Sequence, residues 1–255
     1  MPFQKIQTEK LSTSVVRQIE QLILRGILRP GERLPSEREL SDRLGVSRPS
    51  LRDAVAELQT KGLLCTRASA GVFVAEVLGS AFSPALTELF ARHDEAVFDY
   101  LSFRRDIEAL AAERAAGLGT DSDLAVIQKT FDRMATPTRR NPEDDAELDA
   151  QFHSAIIDAS HNVVMLHMMR SMFDLLRSGV FYNRQIIFEQ RTSRDALLDQ
   201  HRAINDAIQD RNPDAARTAV VAHLNFVEQS LRDQNRSEAN EAIARQRLDH
   251  ESNAN

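Results

Sequence analysis

Four residues in the C-terminal half carry side chains that bind metal ions, and their spacing sets them on helix faces expected to point inward. Asp149 and His153 stand four apart, so on a helix both project from one face. Phe152 and Ile156 share that side, which marks it as apolar. His201 falls in a stripe with Leu197, Ile204 and Ile208, and His223 in one with Val220 and Val227. Ionisable groups on inward faces are costly unless paired or bound to a metal. Each histidine taken alone reads as a satisfied core residue. Together, three imidazoles and a carboxylate suit a divalent transition ion such as Zn²⁺ or Ni²⁺, with buried polar groups as the alternative. A second constellation is Phe103-Arg104-Arg105-Asp106-Ile107-Glu108, where Arg104 and Glu108 also stand four apart. The plain reading is a helix-face ion pair worth about 0.3 kcal/mol. An inward guanidinium could instead grip a carboxylate by two parallel hydrogen bonds.

Helices must position these groups. Beyond residue 93 the apolar residues follow helical periodicity alone, over about 94–118, 121–135, 143–159, 162–179, 180–190, 193–211 and 213–233. Gly117-Leu118-Gly119, Pro137, Pro142, His161-Asn162 and Asn212-Pro213 punctuate them. Residues 79–93 read as a connector, and the polar stretch Gln234 to Asn255 as frayed helix or disordered tail.

The N-terminal part has a different pattern. Val15, Val16, Ile19, Leu22 and Ile23 recur with helical spacing behind Ser12 as cap, and Arg29-Pro30-Gly31-Glu32 reads as a turn. Ser36 and Glu39 have the spacing of a capping box for a short second helix with Leu40 and Leu44 inward, ended by Gly45. Ser47 can cap a third helix, Pro49 is tolerated in its first turn, and Leu51, Val55 and Leu58 form its apolar stripe, ending near Gly62. Two short helices around a glycine turn make a helix-turn-helix, and Arg48, Ser50 and Arg52 lie near the start of the second, where a recognition helix reaches DNA. Leu63 to Thr66 and Val72 to Ala75 read as a hairpin around Ala68-Ser69-Ala70-Gly71. The expected fold is mainly α: a winged helix-turn-helix of three helices plus a β-hairpin over 1–78, then an all-α antiparallel helical bundle over 94–233.

Composition agrees. The chain has 255 residues, 42% of them hydrophobic, enough for two domains with real cores. The net charge of −6 is unevenly spread: residues 1–78 hold 12 Lys and Arg against 9 Asp and Glu, and the rest 20 against 29. That balance suits a basic contact module joined to an acidic partner domain. No run approaches the roughly 18 apolar residues of a membrane helix, and Met1 to Lys10 lacks a signal-peptide core. A single cysteine, Cys65, excludes an intramolecular disulfide, and a cytoplasmic protein is expected.

The run from Leu28 to Leu40, Leu-Arg-Pro-Gly-Glu-Arg-Leu-Pro-Ser-Glu-Arg-Glu-Leu, followed by Gly45-Val46-Ser47-Arg48-Pro49-Ser50-Leu51-Arg52, resembles the DNA-binding domain of the GntR family of bacterial regulators. The resemblance implies that Arg38, Arg48 and Arg52 contact operator bases or phosphates, with Ser47 and Ser50 as phosphate donors. The resemblance also implies a minor-groove contact at the wing tip, here at Gly71, where this chain departs from the glycine-rich tip of many relatives with Ala68-Ser69-Ala70-Gly71. Asp149-Ala150-Gln151-Phe152-His153, Ala159-Ser160-His161-Asn162, Gln200-His201 and Ala222-His223 resemble the FCD ligand-binding domain of the FadR branch. Many members bind a metal with an Asp and three His at positions matching Asp149, His153, His201 and His223. In that branch an arginine matching Arg104 projects into the effector pocket. The stretch from Ala159 through Phe173-Asp174-Leu175-Leu176 to Phe181 looks most like lactate-, glycolate- or pyruvate-responsive members.

The expected function is therefore a DNA-binding transcription repressor, acting as a homodimer on operator DNA and controlled by a small hydroxy- or keto-carboxylate at a zinc or nickel site. The alternatives are a sugar-acid or fatty-acyl effector, or a metal-dependent hydrolase fused to a DNA-binding module. Against the enzyme stand the lack of a separate inward carboxylate with a general-base role and of any G-x-S-x-G motif. An architectural DNA-binding protein would need dense basic charge that the acidic C-terminal part lacks.

Overall fold

Helix α1 (Leu11–Leu24) turns Val15, Val16, Ile19 and Ile23 inward, and all four are buried. It begins directly after Lys10 with no side-chain cap, so Ser12, expected to cap, lies inside the first turn. α2 (Glu37–Leu44) is capped by Ser36, whose hydroxyl accepts from the Glu39 N–H at 3.3 Å. The return half of the expected capping box is not among the contacts of Glu39, whose carboxylate pairs with Arg43 at 2.6 Å. Gly45 closes α2 in the left-handed region at φ 64°, which costs glycine nothing, and the chain turns at once into α3 (Arg48–Thr60). Strands β1 (Leu64–Arg67) and β2 (Gly71–Val74) pair antiparallel in the register Leu64↔Val74 to Arg67↔Gly71. The residues just after the Arg29–Glu32 turn join them: Leu34 N–H donates to the Val72 carbonyl at 2.9 Å, and Arg33 bridges to Phe73. The core of this part is Val15, Val16, Ile19, Ile23, Leu34, Leu51, Ala54, Leu58, Leu64 and Val74.

The computed structural model describes residues 10–67, 70–75, 84–136, 142–177 and 191–253, and the chain divides into two units, Met1–Ala81 and Phe82–Asn255. The expected helix over 180–190 lies outside the described residues. Within the second unit a short helix, α4 (Pro84–Arg92), occupies part of the stretch read as a connector. α5 (Asp94–Leu118), α6 (Asp121–Ala135), α7 (Pro142–Ala159), α8 (Val163–Arg177), α9 (Arg191–Gln209) and α10 (Pro213–Asn253) follow. Their ends have chemical causes. Thr120 and Asp123 form a full capping box at α6. Asn162 Oδ1 accepts from the N–H groups of Val164 and Met165 at 3.1 Å to start α8, after His161 turns the chain at φ 51°. Asn212 does the same for α10 through Ala215, with Pro213 in the first turn. The last helix runs to Asn253, twenty residues past its expected end at 233.

The helices pack around Ala112, Ile127, Phe131, Phe152, Ile157, Met169, Ile204, Ile208 and Val220. α5 lies along α10, α7 packs on α5 and α6, and α9 on α6 and α10. That arrangement brings the inward faces of α5, α7, α9 and α10 to one place. Among the described residues no helix is long and apolar enough to cross a membrane.

Candidate metal centre and nucleic-acid interface

In the N-terminal unit the start of α3 is an exposed, positively polarised end. Ser47 caps it, accepting from the Ser50 N–H at 3.3 Å, and the two hydroxyls lie 2.9 Å apart. This fixes the first turn from which Arg48 projects; Arg48, Arg52 and, on α2, Arg38 are all exposed. Arg52 is engaged: its Nε donates to Glu37 Oε2 at 2.8 Å. A groove of about 450 Å³ lined by Pro35, Leu40, Arg52, Val55, Gln59 and Val72 opens between α2, α3 and the hairpin. Gly71 opens β2 at φ 106°, and a Cβ there would lie 3.2 Å from Arg33 Nε, so the arginine lies where a side chain would stand. The Arg67 guanidinium covers the Phe73 ring at 4.5 Å.

In the helical unit the four metal-ligating residues come together. Asp149 and His153 lie on α7, His201 on α9 and His223 on α10, all buried, and one ligand atom from each lies within 4.8 Å of the others. His201 Nε2 is 3.3 Å from His153 Nε2 and 3.1 Å from Asp149 Oδ1. The opposite nitrogens of two rings are held from behind: His153 Nδ1 lies 2.6 Å from Glu108 Oε2, and His223 Nδ1 donates to Gln200 Oε1 at 3.0 Å. The Gln200 bond behind His223 and the carboxylate placed against His153 Nδ1 favour the tautomer that leaves Nε2 as a lone pair. Nε2 of His153 and Nε2 of His201 lie 3.3 Å apart, so only one of them can carry the proton of a hydrogen bond between them and the other offers a lone pair. Burial lowers the pKa of His201 further than Asp149 raises it, keeping this ring in the neutral form that binds metals. Phe152, fully buried, sets its ring edge-on to His201 with centroids 5.4 Å apart, shielding the cluster from water. The donor set and its outer support fit a divalent ion of the zinc or nickel kind.

Arg104 is also in place beside the cluster, with no exposure at all. Its Nε donates to Glu108, and Tyr100 and Phe173 flank the guanidinium with centroids 5.8 and 5.4 Å from Cζ. Nη1 and Nη2 have no hydrogen-bond partner among the described residues. Burial alone would favour neutral Arg104, but Glu108 outweighs it and holds the guanidinium charged. Burial likewise pushes Glu108 up, and the Arg104 guanidinium, with the His153 ring beside it, overcomes this, bringing its carboxyl down to about 2. Glu108 is a further inward carboxylate, with its two oxygens against Arg104 and His153. Pattern reading gave it only the role of a neighbour four residues from Arg104, because its second partner comes from another helix. Gln200 was missed as a support for the same reason. His161 lies outside the cluster, 2.9 Å from Asp123.

Comparison with known proteins agrees with this geometry. Residues 11–74 match the bacterial regulatory proteins of the gntR family, and residues 99–226 match the FCD domain. The chain is 37% identical over 227 residues to an Escherichia coli (strain K12) protein named for regulation of the L-lactate dehydrogenase operon, covering 88% of this chain and 87% of the relative. It is 33% identical to the Glc operon transcriptional activator of the same organism, over 86% of this chain and 88% of that one. It is 32% identical to the transcriptional regulator LutR of Bacillus subtilis (strain 168), over 82% and 96%. The solved structure of Streptococcus agalactiae GntR shares the fold, with a TM-score of 0.51 at 24% identity, covering 86% of this chain and 99% of that one. The chain belongs to the GntR family of bacterial regulatory proteins, in the group that carries an FCD domain, and is a DNA-binding transcription regulator.

Proposed function

We propose that this regulator is a repressor that binds a pseudo-palindromic operator as a homodimer and senses a short α-hydroxy- or α-keto-carboxylate at a divalent metal in its helical domain. Residues 1–78 form the DNA-reading domain, 79–93 the connection, and 94–233 the effector and dimerisation domain. Arg38, Ser47, Arg48, Ser50, Arg52 and Gly71 face the operator. One recognition helix reads only a few base pairs, so two-fold symmetry is needed for specificity.

The observation that carries the effector reading is the buried cluster of Asp149, His153, His201 and His223 beside the Arg104 guanidinium. The four residues would hold one Zn²⁺ or Ni²⁺, which supplies open coordination positions for a carboxylate oxygen and its neighbouring hydroxyl or keto oxygen. The Arg104 fork neutralises the carboxylate, which favours a short acid over a long acyl chain. Relatives named for the L-lactate dehydrogenase and Glc operons support an acid of this class. The test is metal analysis of the purified chain, then calorimetry of the metal-loaded protein with L-lactate, glycolate and pyruvate. Binding that chelator or Arg104→Ala weakens at least tenfold is expected. A response to a sugar acid or fatty acyl thioester, with none to a short acid, replaces the effector class.

A further inference from the structure

One carboxylate touches both halves of the proposed site. Glu108, on α5 and 2% exposed, accepts from Arg104 Nε with one oxygen, while the other lies 2.6 Å from His153 Nδ1 on α7. The guanidinium that it anchors keeps Nη1 and Nη2 buried without a partner among the described residues. Buried donors left unmade are costly, so these two nitrogens form a fork ready for an anion.

We propose that Glu108 is a positioning residue that couples the Arg104 anion clamp to the metal ligand His153, so that carboxylate binding and metal binding strengthen each other. The inference rests on the metal and effector reading above. The negative charge of Glu108 is shared between a guanidinium and an imidazole N–H. A ligand carboxylate on Nη1 and Nη2 neutralises the guanidinium, so Glu108 is pulled less toward Arg104 and holds the His153 Nδ1 proton more firmly. A stronger acceptor behind Nδ1 makes Nε2 a better donor to a cation. By linkage, the metal must then tighten the acid by the same factor as the acid tightens the metal.

A double-mutant cycle separates this relay from repulsion acting through space. Zinc affinity is measured by competition with a chromophoric chelator, without acid, for the wild-type chain, Arg104→Gln, Glu108→Gln and the double variant. Glu108→Gln alone is expected to weaken zinc about tenfold or more. Arg104→Gln is expected to tighten zinc about threefold or more when Glu108 is present, and to change it little in the Glu108→Gln background. An equal effect of Arg104→Gln in both backgrounds overturns the coupling. Should Glu108→Gln fail to fold by circular dichroism, Glu108→Asp takes its place, because the shorter side chain cannot reach both partners. Saturating L-lactate, which on the reading above also touches the metal directly, is expected to tighten zinc by a larger factor in the wild type than in the Glu108 variant, and an equal factor in both overturns the coupling. Zinc bound as tightly by His201→Ala as by the wild type refutes the metal reading itself, whereas wild-type zinc binding with a background-independent Arg104 effect refutes the coupling alone.

Discussion

Arg52 on α3 and Glu37 on α2 meet across the helix-turn-helix, with Nε 2.8 Å from Oε2 and both side chains about half exposed or more. The proposed DNA contact thus carries an acidic partner in the free protein. Exposed pairs of this kind contribute under about 1 kcal/mol, so Glu37→Gln is expected to leave the melting temperature nearly unchanged. The same change removes a negative charge from the face that meets phosphates, and operator affinity should rise by roughly twofold to tenfold. Arg48→Ala and Arg52→Ala should each abolish specific binding with the fold intact. Fluorescence anisotropy on operator and scrambled DNA across a salt series checks all three, since phosphate contacts steepen the salt dependence.

Metal removal is expected to destabilise the helical unit. A ligand at about 100 times its dissociation constant stabilises by about 2.7 kcal/mol, which for a domain of this size is roughly 5–10 °C. Chelator should lower the melting temperature of the wild type by that amount, and His201→Ala should remove most of the response. Melting indifferent to chelator, zinc and nickel would reduce the four residues to buried polar groups.

The α6 cap provides a pH-dependent contribution. Partial burial raises the Asp123 carboxyl, but bonds from the Thr120 hydroxyl and N–H and from His161 outweigh it, leaving the pKa below the usual aspartate value. A depressed carboxylate stabilises fully above its unfolded pKa, and the contribution fades as pH falls through the folded one. Asp123→Asn should therefore be destabilising at pH 6, by about 1 kcal/mol as for other caps, with the difference shrinking toward pH 3. Urea midpoints measured across that range test the sign.

Gly71 sits at φ 106°, where an L side chain is strained. Gly71→Ala is expected to cost about 1–2 kcal/mol in the N-terminal unit from backbone strain. It should also displace the Arg33 guanidinium, which lies 3.2 Å from the new Cβ. Calorimetry of the variant beside its DNA affinity reads both effects.

What could be read from the sequence was local or periodic. Gly45 and Ser47 announce the turn before α3 because glycine accepts a positive φ and serine caps. The inward placement of His153, His201 and His223 follows from the apolar stripes around them. What escaped depends on competition or on distant partners. Ser36 and Glu39 have capping-box spacing, yet Arg43 stands one turn from Glu39 and takes its carboxylate. The pairing of Arg33 with Phe73 is set by β2, forty residues away, and leaves no periodic trace in so short a segment. The polar composition from Gln234 left frayed helix and disordered tail both open, because the helix that runs to Asn253 has no apolar face there and is held by pairs such as Glu241 with Arg245 at 2.9 Å.

That last helix has a mechanical consequence. At 1.5 Å per residue, the 41 residues of α10 make a rod about 60 Å long, with His223 near one end. From His223 to Asn253 the arm is about 45 Å, so a 5° tilt at the imidazole carries the far end about 4 Å. From Arg236 to Glu251 the rod is exposed, so among the described residues no packing restrains that swing along its outer part. A spin label near residue 250 and another on α6 would therefore report sub-ångström events at the cluster as a change in distance large enough to measure.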